Sequence, residues 1–171
     1  MNKPNYYTMK TTLTLILISF LMMSLYSQDA SKQEISKMLD DWHNAAASND
    51  QQGYFDKIDD QGIYIGTDST EIWTRQAFYD WSTPYFAEDK GWAFKKQSRN
   101  IYLSEDGKMA WFDELLNYGK GTLRGSGVLI KRESDWQIIH YVLSVPVPND
   151  KYLEVMKLIG SKTVISEDPE E

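Results

Sequence analysis

The chain has 171 residues, with 18 basic and 25 acidic side chains and a formal net charge of −7. Nucleic-acid binding and docking on an anionic membrane both need a basic surface, so this charge argues against both kinds of partner. The absence of cysteine excludes disulfides, thiolate metal sites, a cysteine nucleophile and a lipid-modified cysteine. Two histidines, His43 and His140, are too few for a histidine-rich metal site.

The first 27 residues have the order of a secretory signal peptide. Lys3 and Lys10 are their only charged side chains, an apolar run follows over residues 13–23, and Ser27 precedes a predicted cleavage before Gln28. The apolar run is short for a hydrocarbon core of ~30 Å, although an uncleaved membrane anchor is the alternative. We therefore expect an exported protein, periplasmic or secreted, with no stable membrane insertion after signal removal.

We expect one domain over residues 28–160 and an acidic tail over residues 161–171. An exported domain has no access to cytosolic nucleotide cofactors. The segment from Gly119 to Thr122 resembles a phosphate loop only superficially, because the upstream glycine spacing is missing and strands are predicted on both sides. No cofactor and no metal are therefore predicted.

Helical periodicity comes first in this domain. Ser31 and Glu34 have capping-box spacing, and the apolar stripe that follows predicts an amphipathic helix over residues 31–48. A short helix reaching Ile58 and a short strand over residues 62–65 follow. Further along, Thr74 is predicted to cap a third helix, which Pro84 should kink or end.

After Gly91 the apolar period changes from 3.6 to 2 residues, which is typical of strands. The Asp106-Gly107 pair favours a tight hairpin turn. Four consecutive strands are predicted over residues 92–103, 109–118, 122–132 and 136–144. A last helix over residues 151–159 is predicted to bury Tyr152, Val155, Met156 and Ile159.

This element order predicts an α+β fold in which a curved antiparallel sheet forms a cone around the N-terminal helices. Several segments resemble a known family: WHNAA at 42–46, GIYIGTD at 62–68, AWFDE at 110–114, RGSGVL at 124–129 and the ending LSVPVPN at 143–149. Over roughly residues 31–150 the chain is similar to secreted SnoaL-like proteins of the nuclear transport factor 2-like superfamily. That superfamily includes ketosteroid isomerases, scytalone dehydratases, polyketide cyclases and members without catalysis, so the resemblance leaves the chemistry open.

Strand alternation sorts side chains by face, and the resemblance implies that the faces with Arg124 and His140 point into the cone. The candidate ligand pocket then consists of Trp42, Tyr64, Trp111, Asp113, Arg124 and His140.

Within this pocket, Asp113 is a candidate general base, with His140 or Tyr64 as proton donor and Arg124 stabilising an enolate. The alternative is a buried polar cluster whose members satisfy one another. No complete catalytic set of a known member is found. With 6 Trp, 11 Tyr and 6 Phe in the chain, we favour a non-catalytic module that binds a small apolar ligand or a protein partner. The alternative function is an acid–base enzyme of isomerase, dehydratase or cyclase type, acting on a hydrophobic carbonyl compound.

Two further expectations concern ion pairs and assembly. Arg99 alternates with apolar residues and is predicted to be a half-buried ion-pair partner, whereas His43 is predicted to lie at the edge of the helix stripe. The strand faces opposite the cone predict a homodimer through the outer sheet face, because they expose too much apolar area for a monomer. The residues of that predicted surface are Phe112, Leu123, Leu129, Ile139, Tyr141 and Leu143.

Overall fold

The structure is a computed structural model that describes residues 28–119 and 121–160. The predicted signal peptide, the acidic tail and Lys120 in a predicted turn lie outside the described residues. Within the described ranges, no helix has both the length and the apolar character needed to cross a bilayer.

Helix α1, residues 28–47, lies across one face of the sheet. Ile35, Leu39 and Trp42 are fully buried at the predicted spacing, because residues three or four apart share one side of a helix. Asn49 then takes a left-handed conformation with φ of 60° and turns the chain.

Two further helices follow, each begun by the side chain before it. Asp50 caps α2, Gln51–Phe55, by accepting a first-turn backbone N–H at 2.9 Å. Thr74 caps α3, Arg75–Ala87, in the same way at 3.3 Å. Contrary to the expectation that the helix ends there, α3 continues three residues beyond Pro84, which is exposed in the last turn and lacks the N–H that would bond to the Asp80 carbonyl.

Six strands form one sheet: β1 Ile58–Ile65, β2 Ile72–Thr74, β3 Lys95–Leu103, β4 Met109–Tyr118, β5 Gly121–Arg132 and β6 Asp135–Ser144. Their order across the sheet is β2-β1-β6-β5-β4-β3. Strands β3 to β6 form the predicted antiparallel meander, and β1 joins it by pairing in parallel with β6. Gly107 and Gly119 have φ of 65° and 58°, as tight turns require.

Strand β1 begins four residues earlier than predicted, so Ile58 lies in a strand and not in a helix. The neighbouring Asp59 is buried and accepts a hydrogen bond from Arg132 Nε at 2.7 Å. This ion pair ties the start of β1 to the end of β5 and compensates a charge that would otherwise be buried alone.

The predicted orientation of strands β4 and β5 is wrong. In β4 the buried side chains are Ala110, Phe112, Glu114 and Leu116, so Trp111 and Asp113 face the other way. In β5 the buried positions are likewise Gly125, Gly127 and Leu129. In each strand both alternating sets of side chains include apolar residues. Alternation alone therefore does not show which set faces the core.

Strand β6 does not alternate throughout. Val128 pairs with His140 while the next residue, Leu129, pairs with Ile138, so the register shifts by one residue. This β-bulge inserts an extra residue, and the buried positions step from Ile138 to Tyr141. Trp136 is therefore buried whereas His140 is on the opposite face, although simple alternation assigns both to one side.

The surface predicted for dimerisation is also wrong in five of its six residues. Phe112, Leu129, Tyr141 and Leu143 belong to the core, and Leu123 packs against that core. Their apolar area is covered within one chain, so it does not require a partner.

The last helix forms as predicted but does not bury its apolar side. Asn149–Lys151 forms a 3₁₀ turn after the two prolines, and α4, Tyr152–Gly160, follows. None of its residues is buried, and Leu153 is 73% exposed. The prediction that α4 packs on the core is therefore wrong.

Candidate functional site

A cavity of about 310 Å³ opens between α3 and the ends of strands β1, β5 and β6. Its walls are mainly aromatic. Five of the rings come from Tyr64, Trp73, Phe78, Trp81 and Trp92, and Phe94 and Tyr118 also line it.

The rings of the α3 wall lie nearly parallel. The Tyr64 and Phe78 centroids are 4.1 Å apart with an interplanar angle of 19°. Trp73 stacks on Phe78 at 5.3 Å and 13°, and on Trp81 at 4.9 Å and 27°. Such offset stacks present flat apolar faces.

A short stretch of sequence produces most of this wall. Phe78 and Trp81 are three residues apart in α3 and therefore lie on the same side of the helix. Trp73 lies in β2, just before the Thr74 cap that starts α3. The strand-to-helix junction thus places three rings together.

Glu71 is the only charged side chain that lines the cavity among the described residues. Its Oε2 accepts the Asp68 backbone N–H at 3.2 Å. A Cβ on Gly66 would collide with the same carboxylate, so the glycine leaves the space that Glu71 occupies. Burial raises the pKa of the Tyr64 phenol, and the Glu71 charge raises it further. Glu71 itself is half-buried where it lines the cavity.

A cluster of polar side chains around Glu114 is buried under α1, away from the cavity walls. Glu114 Oε1 lies 2.8 Å from His43 Nε2, and Glu114 Oε2 accepts hydrogen bonds from Arg99 Nε and Nη2 at 2.9 and 2.7 Å. The Tyr141 hydroxyl donates to Glu114 Oε1 at 3.4 Å. Arg99 Nη1 reaches Asp40 Oδ1 at 2.8 Å. We call Glu114, His43 and Arg99 the buried triad.

Electrostatics keep Glu114 ionised. Burial by itself raises the pKa of this carboxyl, but the hydrogen bond from His43 and the charges of His43 and Arg99 outweigh it, so the pKa lies below its usual value. An ionised carboxylate only accepts hydrogen bonds, hence His43 Nε2 carries the proton and donates. The predicted role of Arg99 as an ion-pair partner is confirmed, whereas His43 is fully inside and not at the stripe edge.

Of the six residues predicted to line one pocket, only Tyr64 lines the cavity. Trp42 is buried deeper, with its ring 4.8 Å from Tyr141. The other four, Trp111, Asp113, Arg124 and His140, lie on the uncovered sheet face, as the strand phases and the bulge require.

The three suggested catalytic residues do not converge on the cavity. Asp113 accepts a hydrogen bond from exposed Asn100 at 3.0 Å, and Arg124 is exposed. His140 is half-buried opposite Val128. Their suggested chemistry depended on a shared apolar cavity, which this placement does not provide.

Sequence reasoning missed Glu114 although a signal was present. A hairpin closed by the predicted turn at Asp106-Gly107 places Arg99 opposite Glu114, and the strands pair in this register. Since Arg99 was expected to face inward, its cross-strand neighbour of opposite charge had to face inward too.

In the described ranges, no group of three His, Asp or Glu side chains lies close enough to hold a metal ion. The lining of the cavity offers aromatic rings, the hydroxyl-bearing side chains of Thr67 and Tyr118, and one carboxylate, that of Glu71.

Solved structures show the same fold. A nuclear transport factor 2-like protein of unknown function from Pseudomonas putida KT2440 matches with a TM-score of 0.61 and 17% identity, covering 72% of this chain and 92% of that one. A nuclear transport factor 2-like protein from Cytophaga hutchinsonii matches with a TM-score of 0.55 and 14% identity, covering 67% and 98%. A proposed scytalone dehydratase from Novosphingobium aromaticivorans matches with a TM-score of 0.58 and 12% identity, covering 72% and 89%. At these identities the likeness shows the fold alone.

No curated protein matches the chain. The model of the SnoaL-like domain matches residues 35–148, which is well over half of the chain. That span begins in α1 and ends just after β6, so it includes the cavity and the buried triad. The chain therefore belongs to the SnoaL-like domain family.

Proposed function

We propose that this protein is an exported, non-catalytic SnoaL-like domain that binds one small, flat, apolar ligand in the aromatic cavity. The observation that carries the proposal is the set of nearly parallel rings along a solvent-open cavity of about 310 Å³. Ligand sites are typically concave, largely apolar and lined by aromatic side chains with few polar groups. Export rests on the signal-like order of the first 27 residues.

The cavity size limits the ligand. Ligand pockets commonly have volumes of roughly 300–1,000 Å³, so this one lies at the small end of that range. Flat walls favour a planar molecule, since a planar ring system can stack on Trp73 or Trp81 without displacing them. We therefore expect a compound of one to three fused rings.

An acid–base enzyme acting on a hydrophobic carbonyl compound has less support. Asp113, Arg124 and His140 lie on the uncovered face, so Glu71 is the carboxylate that such an enzyme would have to use as its base. If turnover of a planar ketone were detected and were lost in Glu71→Gln, this alternative would replace the binding module.

We further propose a homodimer through the uncovered sheet face, with different residues from those first predicted. That face carries Tyr102 and Trp111, which are 44% and 48% exposed and stack at 5.9 Å. Sedimentation at micromolar concentration tests this part. We expect a dimer that Trp111→Ala weakens. A monomeric wild-type protein, or a dimer that Trp111→Ala leaves unchanged, would remove this interface from the proposal without affecting the cavity.

Two tryptophans of similar exposure provide the test of ligand binding. Trp81 is 42% exposed and lines the cavity, whereas Trp111 is 48% exposed on the other face. A set of planar aromatic compounds is first assayed for thermal stabilisation of the wild-type protein, since a bound ligand raises stability by mass action. For a stabilising compound, Trp81→Ala should weaken binding at least about tenfold, which is about 1.4 kcal/mol. Trp111→Ala should leave it unchanged.

The proposal fails if no planar compound stabilises the protein. It also fails if Trp111→Ala and Trp81→Ala weaken binding equally, because the compound then does not occupy the cavity.

A further inference from the structure

The aromatic cavity combines ring faces with a single carboxylate. Glu71 is the only charged lining residue in the part of the chain that the structure describes, and within that part no Lys or Arg nitrogen lies within 4.0 Å of it. We propose that the ligand of this cavity is a planar aromatic cation. This inference rests on the proposed function: the ligand keeps a flat, apolar ring system, and the inference adds that it carries one positive charge.

The ring faces suit a cation. The negative face of an aromatic ring attracts positive charge, and tryptophan does so most strongly. Trp73 and Trp81 present stacked indoles 4.9 Å apart, and both line the cavity with Glu71. A flat cation can thus stack on a ring and meet the carboxylate in the same cavity.

Glu71 is held in place before any ligand arrives. Its carboxylate accepts the Asp68 N–H, and its own backbone carbonyl accepts the Gly66 N–H at 2.9 Å. Because Gly66 has no Cβ, the carboxylate can lie against the backbone there. A positioned charge loses little conformational entropy on binding, which increases affinity for a complementary ligand.

The same carboxylate discriminates between ligands. A neutral ring that covers half-buried Glu71 displaces water from the carboxylate and offers no hydrogen bond or charge in its place. This desolvation weakens the binding of a neutral ligand. An anion adds repulsion, while a cation compensates the charge. The net charge of −7 adds a long-range attraction for cations and a repulsion for anions.

Three probes with nearly identical ring systems test the inference by calorimetric titration of the full chain. They are 1-methylquinolinium as the cation, 1-methylnaphthalene as the neutral compound and naphthalene-1-sulfonate as the anion. We expect the cation to bind at least about tenfold more tightly than the neutral probe, and the anion to bind most weakly. Rising salt should weaken cation binding and leave neutral binding nearly unchanged.

Variants then assign the effect to one side chain. Glu71→Gln should lower cation affinity about tenfold and leave neutral affinity within about twofold. Glu105→Gln removes the same charge from an exposed hairpin turn outside the cavity lining and should change neither affinity. Equal effects of the two variants would show that only the net charge acts, and would overturn the inference.

The outcomes separate the two proposals. If the neutral probe binds as tightly as the cation, the inference fails while the proposed aromatic binding site stands. If none of the probes binds, the inference fails, and the proposed function fails with it when no other planar compound stabilises the protein. The comparison of probes and the salt dependence are measured on the wild-type protein, so they test the charge of the ligand even if Glu71→Gln does not fold.

Discussion

Glu114 and His43 are buried against each other, with 2.8 Å between Glu114 Oε1 and His43 Nε2, although the two residues are 71 positions apart in the chain. Arg99 contacts the second carboxylate oxygen at 2.7 Å. The contact joins α1 to β4, the strand beside the β3 edge of the sheet. It places an ionised carboxylate in the core, where removal of a partner is far more damaging than at the surface.

Neighbouring acids on one strand provide the first prediction. Glu114→Gln should destabilise the protein by about 3 kcal/mol or more, because Arg99 and His43 lose their buried carboxylate and Arg99 keeps only the partly exposed Asp40 as a counter-charge. Asp113→Asn, one residue away on the uncovered face, should change stability by no more than about 0.5 kcal/mol. Urea unfolding measures both variants. Equal effects, or a larger effect at Asp113, would contradict the observed strand orientation.

Acid pH provides the second prediction. The pKa of Glu114 lies below its ordinary value of 4.5, for the reasons given above. The hydrogen bond from Arg132 lowers the pKa of Asp59 below 3.8. Below these ordinary values Glu114 and Asp59 are protonated in the unfolded chain but still ionised in the folded protein. The free energy of unfolding therefore falls as pH decreases.

The stabilisation from these groups is therefore complete at neutral pH and is lost as pH falls below about 4.5 through the folded values. Urea midpoints measured between neutral pH and about pH 3 should show this decline. In Glu114→Gln the decline should be smaller, since one of the titrating groups is absent. An unchanged slope would exclude Glu114 as a contributor.

Glycines on the covered face of β5 provide the third prediction. A Cβ on Gly127 would lie 2.8 Å from the His140 carbonyl oxygen and 2.7 Å from the Phe112 ring. Gly127→Ala should therefore destabilise the protein by about 1–3 kcal/mol through overpacking. At Gly121 the nearest atom to such a Cβ is 3.8 Å away, so Gly121→Ala is the matched control and should be nearly neutral. Thermal unfolding distinguishes the two, and equal melting temperatures would contradict the packing.

The exposed last helix provides the fourth prediction. No residue of α4 is buried, so ending the chain after Asp150 removes no buried side chain among the residues that the structure describes. The melting temperature should change by less than about 2 °C, since the free-energy change is a fraction of a kcal/mol. A drop of several degrees at low protein concentration would mean that α4 packs on the domain.

Local sequence patterns predicted most of the elements. Asp106-Gly107 predicted the hairpin turn, and Gly107 takes the positive φ that only a few residues tolerate. Thr74 was identified as the cap of α3, and the α1 stripe of Ile35, Leu39 and Trp42 is buried as expected. These features depend on a few adjacent residues, so the sequence by itself determined them, together with the acidic charge and the order of elements.

Only the tertiary structure decided which face of the sheet is covered. Strand β4 carries an acid in both phases, Asp113 and Glu114, and local alternation treats them alike. The position of α1, with His43 and Asp40 directed at Arg99 and Glu114, selects the second phase. The bulge in β6 then separates Trp136 from His140, and it is visible only in the pairing with β5. Side-chain direction in a sheet is a property of long-range register, so a local period could not assign the pocket.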